Sequence, residues 1–158
     1  MRETGPSREQ HTTEVGVSPT LLYLMKQVEL AVRARLDELV RPAGLTALQY
    51  TALTVLERHP DLTSAHLARN SFVTSQSMAD MVTSLRARGL IDRHQDPADR
   101  RRLVLSLTDA GRTLLDGYRQ AVADLEAEML TGLSEDQSTA LREALLSCRE
   151  ALKRPAAR

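Results

Sequence analysis

Three consecutive arginines, Arg100, Arg101 and Arg102, have the most to offer chemically in this chain, because like charges held side by side need water or a counter-charge. They follow Asp96-Pro97-Ala98-Asp99, a run of turn-forming residues, and precede Leu103-Val104-Leu105-Ser106-Leu107. In that second run Leu alternates with Val and Ser at the period of a half-buried strand. Leu90 to Gln95 reads as its partner, so the arginines sit at or beside the tip of a two-stranded ribbon. A polyanion would supply the missing counter-charge.

The helix pattern leading into this ribbon is the second group with chemical meaning. It opens on Thr74, reaches Arg88 and stops at Gly89. Stepping 100° per residue places Met81, Val82 and Leu85 within about 60° of Met78, which makes the inward face. The outward face carries Gln76, Asp80, Thr83 and Ala87, flanked by Ser77, Ala79 and Ser84. A solvated helix usually carries Lys and Glu there, whereas short polar groups with Gln suit close approach to base edges in a ~12 Å major groove. The plainer alternative is a solvated face. Ser64, Thr74 and Ser75 lie at helix starts, where hydroxyls and free N–H groups suit phosphate, and Arg69 and Arg86 suit it too. Asp80 is expected to orient a neighbouring Arg rather than to accept from cytosine.

The whole chain frames these groups. Its 158 residues fit one domain, and 42% hydrophobic with only 3% aromatic residues requires a core of Leu, Val, Ala and Met. The formal net charge is +0, but the distribution is uneven. From Arg86 to Arg102 six Arg face three Asp, a local +3, whereas from Asp109 to Glu150 nine acids face four Arg, a local −5. Binding responds to the field within about 8–10 Å, so a neutral total does not exclude a basic face. A single cysteine, Cys148, excludes an internal disulfide and a thiolate zinc cluster and fits a reducing compartment. No stretch approaches the ~20 apolar residues of a membrane span, and no signal-peptide hydrophobic region opens the chain, which points to the cytoplasm.

Further elements must position the ribbon and its helix. Residues 1–17 read as a loose polar tail, in which Arg2 or Arg8 could touch a polyanion. Ser18-Pro19 predicts the start of a long helix striped by Leu21, Leu24, Met25, Val28, Val32, Leu36, Leu39 and Val40, ending before Pro42. That stripe can serve the core or a second subunit. Thr46 to Gln49 is a capping box for a helix to Arg58, with Leu48, Ala52, Leu53 and Leu56 buried. Asp61-Leu62 could add a short strand to the ribbon, and Thr63 caps a short helix to Arg69. Thr108 caps a long helix with Leu114, Leu115, Tyr118, Val122, Leu125, Met129 and Leu130 on one face. Ser134 to Gln137, another capping box, opens a last helix striped by Leu141, Leu145, Cys148 and Leu152. Three amphipathic helices with little core of their own read as a dimerisation unit. The expected fold is mainly α, a winged helix-turn-helix with a small hairpin plus those helices.

Over residues 20–152 the chain resembles the MarR family of winged helix-turn-helix regulators. The resemblance rests on Asp96-Pro97-Ala98-Asp99-Arg100-Arg101, then Leu105-Ser106-Leu107-Thr108-Asp109-Ala110-Gly111, together with six helices and a wing between the fourth and fifth. It implies a sequence-specific, homodimeric DNA-binding transcriptional regulator, most often a repressor, on a pseudo-palindromic operator. One domain at 18–152 is expected, with 18–41 and 108–152 for dimerisation, 45–107 for reading DNA, and a tail at 153–158. The resemblance further implies that Asp99 steadies Arg101 in a minor groove; Asp99 also suits a plain turn-former making an Asx-type bond, and the two roles are compatible. Arg100 or Arg102 is expected on phosphate. Family members often bind small phenolic or anionic effectors, for which Tyr23, Lys26 and Tyr50 are candidates, unless these side chains merely pack.

Competing readings are fewer. The peroxide-sensing branch of the family carries its cysteine near the N-terminus, so Cys148, on an apolar stripe, is expected to be a buried small hydrophobe. A thiol-based redox regulator using Cys148 remains the alternative. His59 and His66 lack acids at ligand spacing, so no metal and no cofactor are expected, and His94 reads as strand surface, with a phosphate contact or pH dependence as the alternative. No phosphate loop, nucleophile elbow or zinc-spaced cluster suggests an enzyme. A winged-helix protein-interaction module would show a degraded wing, and this one keeps its arginines.

Overall fold

The computed structural model describes residues 18–153; the expectations for the tails at 1–17 and 154–158, Arg2 and Arg8 included, lie outside them. Hydroxyl caps open most of the elements. Thr46, Thr63, Thr74, Thr108 and Ser134 each accept from the backbone N–H three residues on, starting α2 (Ala47–Arg58), α3 (Ser64–Asn70), α4 (Ser75–Ala87), α5 (Asp109–Met129) and α6 (Glu135–Leu152). Both predicted capping boxes, at Thr46 and Ser134, are closed by Gln49 and Gln137.

The first helix differs from expectation. α1 spans Leu21–Val40, and its cap is Thr20, whose Oγ1 accepts from Tyr23 N at 3.2 Å, rather than Ser18. Pro19 therefore precedes the helix, because the hydroxyl nearest the first turn takes the capping role. A 3₁₀ turn over Arg41–Ala43 holds Pro42, and Gly44 at φ +67 reverses the chain into α2.

β1 (Ile91–Gln95) and β2 (Leu103–Leu107) pair antiparallel, with Ile91 opposite Leu107, Arg93 opposite Leu105 and Gln95 opposite Leu103. Leu62 adds the predicted third segment: Leu105 N donates to Leu62 O at 2.8 Å and Asp61 N to Leu105 O at 3.1 Å. β2 is thus bonded on both edges. Its expected alternation holds for Leu105 and Leu107 but fails at the tip, where Leu103 is exposed and Val104 buried. Leu103 pairs with Gln95 at the tip, beyond the reach of the core that covers Leu105 and Leu107 on the same side.

The core lies between the short helices and the hairpin. Leu53 and Leu56 of α2, Leu67 of α3, Met78, Val82 and Leu85 of α4, Ile91, Leu105 and Leu107 of the hairpin and Leu115 of α5 form one cluster with Val40. Each fully buried Leu among them contributes roughly 1.5–3 kcal/mol. Leu48, predicted to be buried, is only half-buried, and Ala47 and Tyr50 take its place inside. α6, by contrast, buries no residue at all.

Candidate nucleic-acid interface

The wing tip is built by backbone bonds that leave its arginines outside. Asp96 N donates to Arg102 O and Arg102 N to Asp99 O, both at 2.9 Å, closing the loop between the strands. Asp96 Oδ1 accepts from Ala98 N at 2.9 Å, and Asp99 Oδ1 accepts from Arg101 N at 3.1 Å. Asp99 thus takes the turn-forming part of its two expected roles. Its carboxylate holds Arg101 by the main chain, because two residues of separation in a tight turn bring the N–H closer than the guanidinium. Arg102 lies 3.5 Å from Asp96 Oδ2 in a loose pair. Arg100 and Arg101 are exposed and have no ion-pair partner among the described residues.

The wing is fixed at its base. Asp61, in the left-handed region at φ +62, places Oδ1 2.9 Å from His94 Nε2, so His94 ties β1 to the link between α2 and α3 rather than standing as bare strand surface. Thr108 ties the other end: its Oγ1 donates to Gly89 O at 2.6 Å and accepts from Gly111 N at 3.1 Å, while its N–H donates to Leu90 O at 3.1 Å. Gly111 sits so close to the Leu90 carbonyl that a Cβ there would overlap it. Arg88, counted in the basic run of the sequence, is spent internally; its guanidinium donates to the carbonyls of Ala43 and Gly44.

On α4 the inward face is as expected, with Met78, Val82 and Leu85 buried and Met81 half-buried. Gln76, Ser77, Ala79, Asp80, Thr83, Arg86 and Ala87 are exposed, and Ser84 is half-buried. Ser77 also accepts from the Thr74 hydroxyl at 3.0 Å, and Thr83 Oγ1 donates back to Ala79 O at 2.9 Å. Asp80 differs from expectation. It lies 3.5 Å from Gln76 Nε2, one helical turn away, and pairs with no Arg among the described residues. The i,i+4 spacing makes Gln76 its nearest polar neighbour. Ser75 and Arg69 are exposed and Ser64 is half-buried at the first turn of α3.

The three candidate effector groups do not converge. Tyr23 is exposed and accepts from Gln27 at 3.1 Å, and Lys26 is paired with Glu29 at 2.8 Å. Tyr50 lines a cleft of about 310 Å³ together with Thr54, Glu57, Arg58, Leu115, Arg119 and Val122. Burial pushes the Tyr50 phenol up, and its ring meets Tyr118 edge-on at 6.5 Å. Arg119 was not singled out from the sequence. It donates to Asp116 at 2.6 Å and to Glu57 at 2.9 Å, and those bonds, Asp116 first, hold it firmly protonated. The Asp116 contact is legible as an i,i+3 pair, but the Glu57 contact joins residues 62 apart. Cys148 is exposed, not buried as expected, because among the described residues nothing buries the stripe of α6.

Comparison with known proteins gives this geometry its setting. A family model described as MarR family matches residues 43–102, the span from the 3₁₀ turn to the wing tip. The chain is 30% identical over 123 residues to the HTH-type transcriptional repressor Rv2887 of Mycobacterium tuberculosis, covering 78% of this chain and 88% of that protein. The crystal structure of Rv2887 with salicylic acid matches with a TM-score of 0.68 at 29% identity over 83% of this chain and 97% of that one. S. aureus MepR bound to DNA matches in fold, with a TM-score of 0.72 at 22% identity over 85% and 97%. A basic hairpin beside a helix with a small polar face, on a frame shared with these proteins, places the chain in the MarR family of DNA-binding winged helix-turn-helix transcriptional regulators.

Proposed function

We propose that the chain acts in the cytoplasm as a homodimeric repressor that reads pseudo-palindromic duplex DNA. The observation that carries this reading is the pair of exposed guanidiniums, Arg100 and Arg101, without a carboxylate partner among the described residues, in a turn closed by backbone and Asp side-chain bonds. A narrow minor groove concentrates negative potential and favours Arg, and here it takes Arg101. Asp99 fixes the turn, and Arg100 or Arg102 meets phosphate. α4 enters the major groove, where Gln76, Ser77 and Thr83 meet base edges. Ser64, Thr74 and Ser75, with Arg69 and Arg86, meet the backbone.

Residues 45–107 form the reading unit, and 18–41 with 108–152 form the dimer. α6 supports the second assignment, because 18 residues with none buried lack the packing that stabilises most helices. Leu141, Leu145, Leu146 and Leu152 are exposed on it, as are Leu21, Leu22, Tyr23, Leu24 and Met25 on α1. A twofold dimer would set two half-sites about 34–36 Å apart.

A ligand-responsive form of this reading is favoured by the cleft between α2 and α5, where Tyr50 and the cationic Arg119 could receive a phenolic carboxylate. Rv2887 has been crystallised with salicylic acid. Salicylate is expected to weaken DNA binding by the wild type and less so by Arg119→Ala; an equal response in both would remove Arg119 from the site.

The central test is a salt titration of binding to a duplex enriched by the protein from a random-sequence library. Affinity should fall with a log–log slope near −0.9 per phosphate contact. Arg101→Ala should lose at least ~1–3 kcal/mol of affinity while light scattering still reports a dimer. Salt-insensitive binding, or an unimpaired Arg101→Ala, would sink the proposal.

A further inference from the structure

The turn between α3 and α4 holds two features that work against folding. Phe72, the one Phe in the chain, adopts φ +57, a left-handed conformation that bulky side chains rarely take. It is also 85% exposed, so the ring returns almost no burial for that strain. Beside it, Ser71 is buried with an Oγ that has no hydrogen-bond partner among the described residues. Its N–H and those of Phe72 and Val73 are all used, donating to Leu67 O, Arg69 O and Ala68 O. The backbone path is therefore fixed by the end of α3, and the side chain at position 72 is held outward on a path where glycine would be less strained. Strain held in place by its surroundings in this way clusters at functional sites.

The position of the turn says what that function is. Phe72 precedes the cap of α4, Thr74, by two residues, so its Cα lies within about 7.6 Å of that end of the helix. Ser75, Gln76 and Ser77 follow at once and are all exposed. Whatever surface receives the first turn of α4 also comes within reach of the Phe72 ring. Resting on the reading that α4 enters the major groove, we propose that Phe72 makes an apolar contact with the 5-methyl group of a thymine at the groove edge. Thymine is the base that offers an apolar group in that groove, and Phe is one of the side chains suited to it. The contact adds to whatever preference for thymine the methyls of Ala79 and Thr83 on α4 supply.

The test uses the full chain and a duplex that the wild type enriches from a random-sequence library, with thymine or with deoxyuridine throughout. Removing one buried methyl should weaken wild-type binding about fourfold per contact. Phe72→Gly should bind the thymine duplex with that same loss and respond about fourfold less than the wild type to the uracil exchange, while unfolding at an equal or higher temperature. Phe72→Ala, which keeps the backbone restraint, should show the same reduced response. The proposal is overturned if both variants keep the wild-type sensitivity to uracil, or if both bind as the wild type does. It is overturned too if Phe72→Gly unfolds earlier or loses its dimer, since the ring would then serve the fold or a subunit contact. Arg101→Ala separates this from the broader reading: if it alone loses affinity, only the thymine contact is wrong, and if it also binds normally, the wing reading has failed.

Discussion

The reading unit and the terminal helices are built on opposite terms. Between Leu45 and Leu107, three short helices and a hairpin surround side chains such as Leu53, Leu56, Leu67, Val82 and Leu105, each at most 1% exposed. α6 is as long as α2 and half as long again, yet buries nothing, and α1 buries only Val40 at its last residue. Length does not stabilise a helix as a covered stripe does. One region is covered within the described residues; the other leaves its apolar stripe uncovered there, which is what the proposed dimer would use. The polar surface repeats the contrast. The terminal helices are laced with ion pairs, Arg35 with Glu128 at 2.7 Å and Arg142 with Glu126 at 3.0 Å, whereas at the wing tip Arg100 and Arg101 are unmatched among the described residues.

Substitutions can break or sharpen that contrast. Leu53→Ala removes a fully buried side chain and should destabilise the chain by ~2–5 kcal/mol whatever the protein concentration, as read by denaturant unfolding. Leu145→Asp, on the α6 stripe, should forfeit about 1.5–3 kcal/mol of apolar burial per subunit, seen as dissociation in sedimentation and as loss of the concentration dependence of Tm. If its effect were the same at every concentration, α6 would not be an interface. Gly111→Ala drives a methyl into the Leu90 carbonyl and should cost about 1–3 kcal/mol, because backbone rather than a flexible side chain must move. Thermal unfolding would check it.

The smallest effect is electrostatic. Hydrogen bonding from Lys26 holds the exposed Glu29 carboxyl below its usual range. A depressed carboxylate contributes stability that is present above the unfolded value and lost as pH falls through the folded one. Lys26→Ala should therefore flatten the loss of helicity on acidification below about pH 4.5, measured by circular dichroism, with little change at neutral pH.

Local chemistry was legible and long-range chemistry was not. The caps at Thr46, Thr63, Thr74, Thr108 and Ser134 follow from a hydroxyl and its spacing to the next turn, and each is where the sequence puts it. Thr20 displaces Ser18 because two hydroxyls compete within three residues and the rule does not rank them. The inward and outward faces of α4 follow from periodicity alone. Arg88 could not be separated from the other arginines of the basic run, since its partners at Ala43 and Gly44 lie more than 40 residues away. Glu57 with Arg119 and Asp61 with His94 are hidden for the same reason. Cys148 was misjudged on a sound pattern: an apolar stripe shows that a face wants cover, not that its own chain provides it. Phe72 reads as an ordinary loop residue until its backbone angle is known.

The joint at Thr108 has a mechanical consequence. Its hydroxyl and N–H clasp the carbonyls of Gly89 and Leu90, and Gly111 rests against the second of these with no side chain between. The root of α5 is thereby tied to the link between α4 and β1. A joint so bonded is expected to turn helix and wing together when the far end of α5, 20 residues on, is tilted, the way a crank moves its shaft.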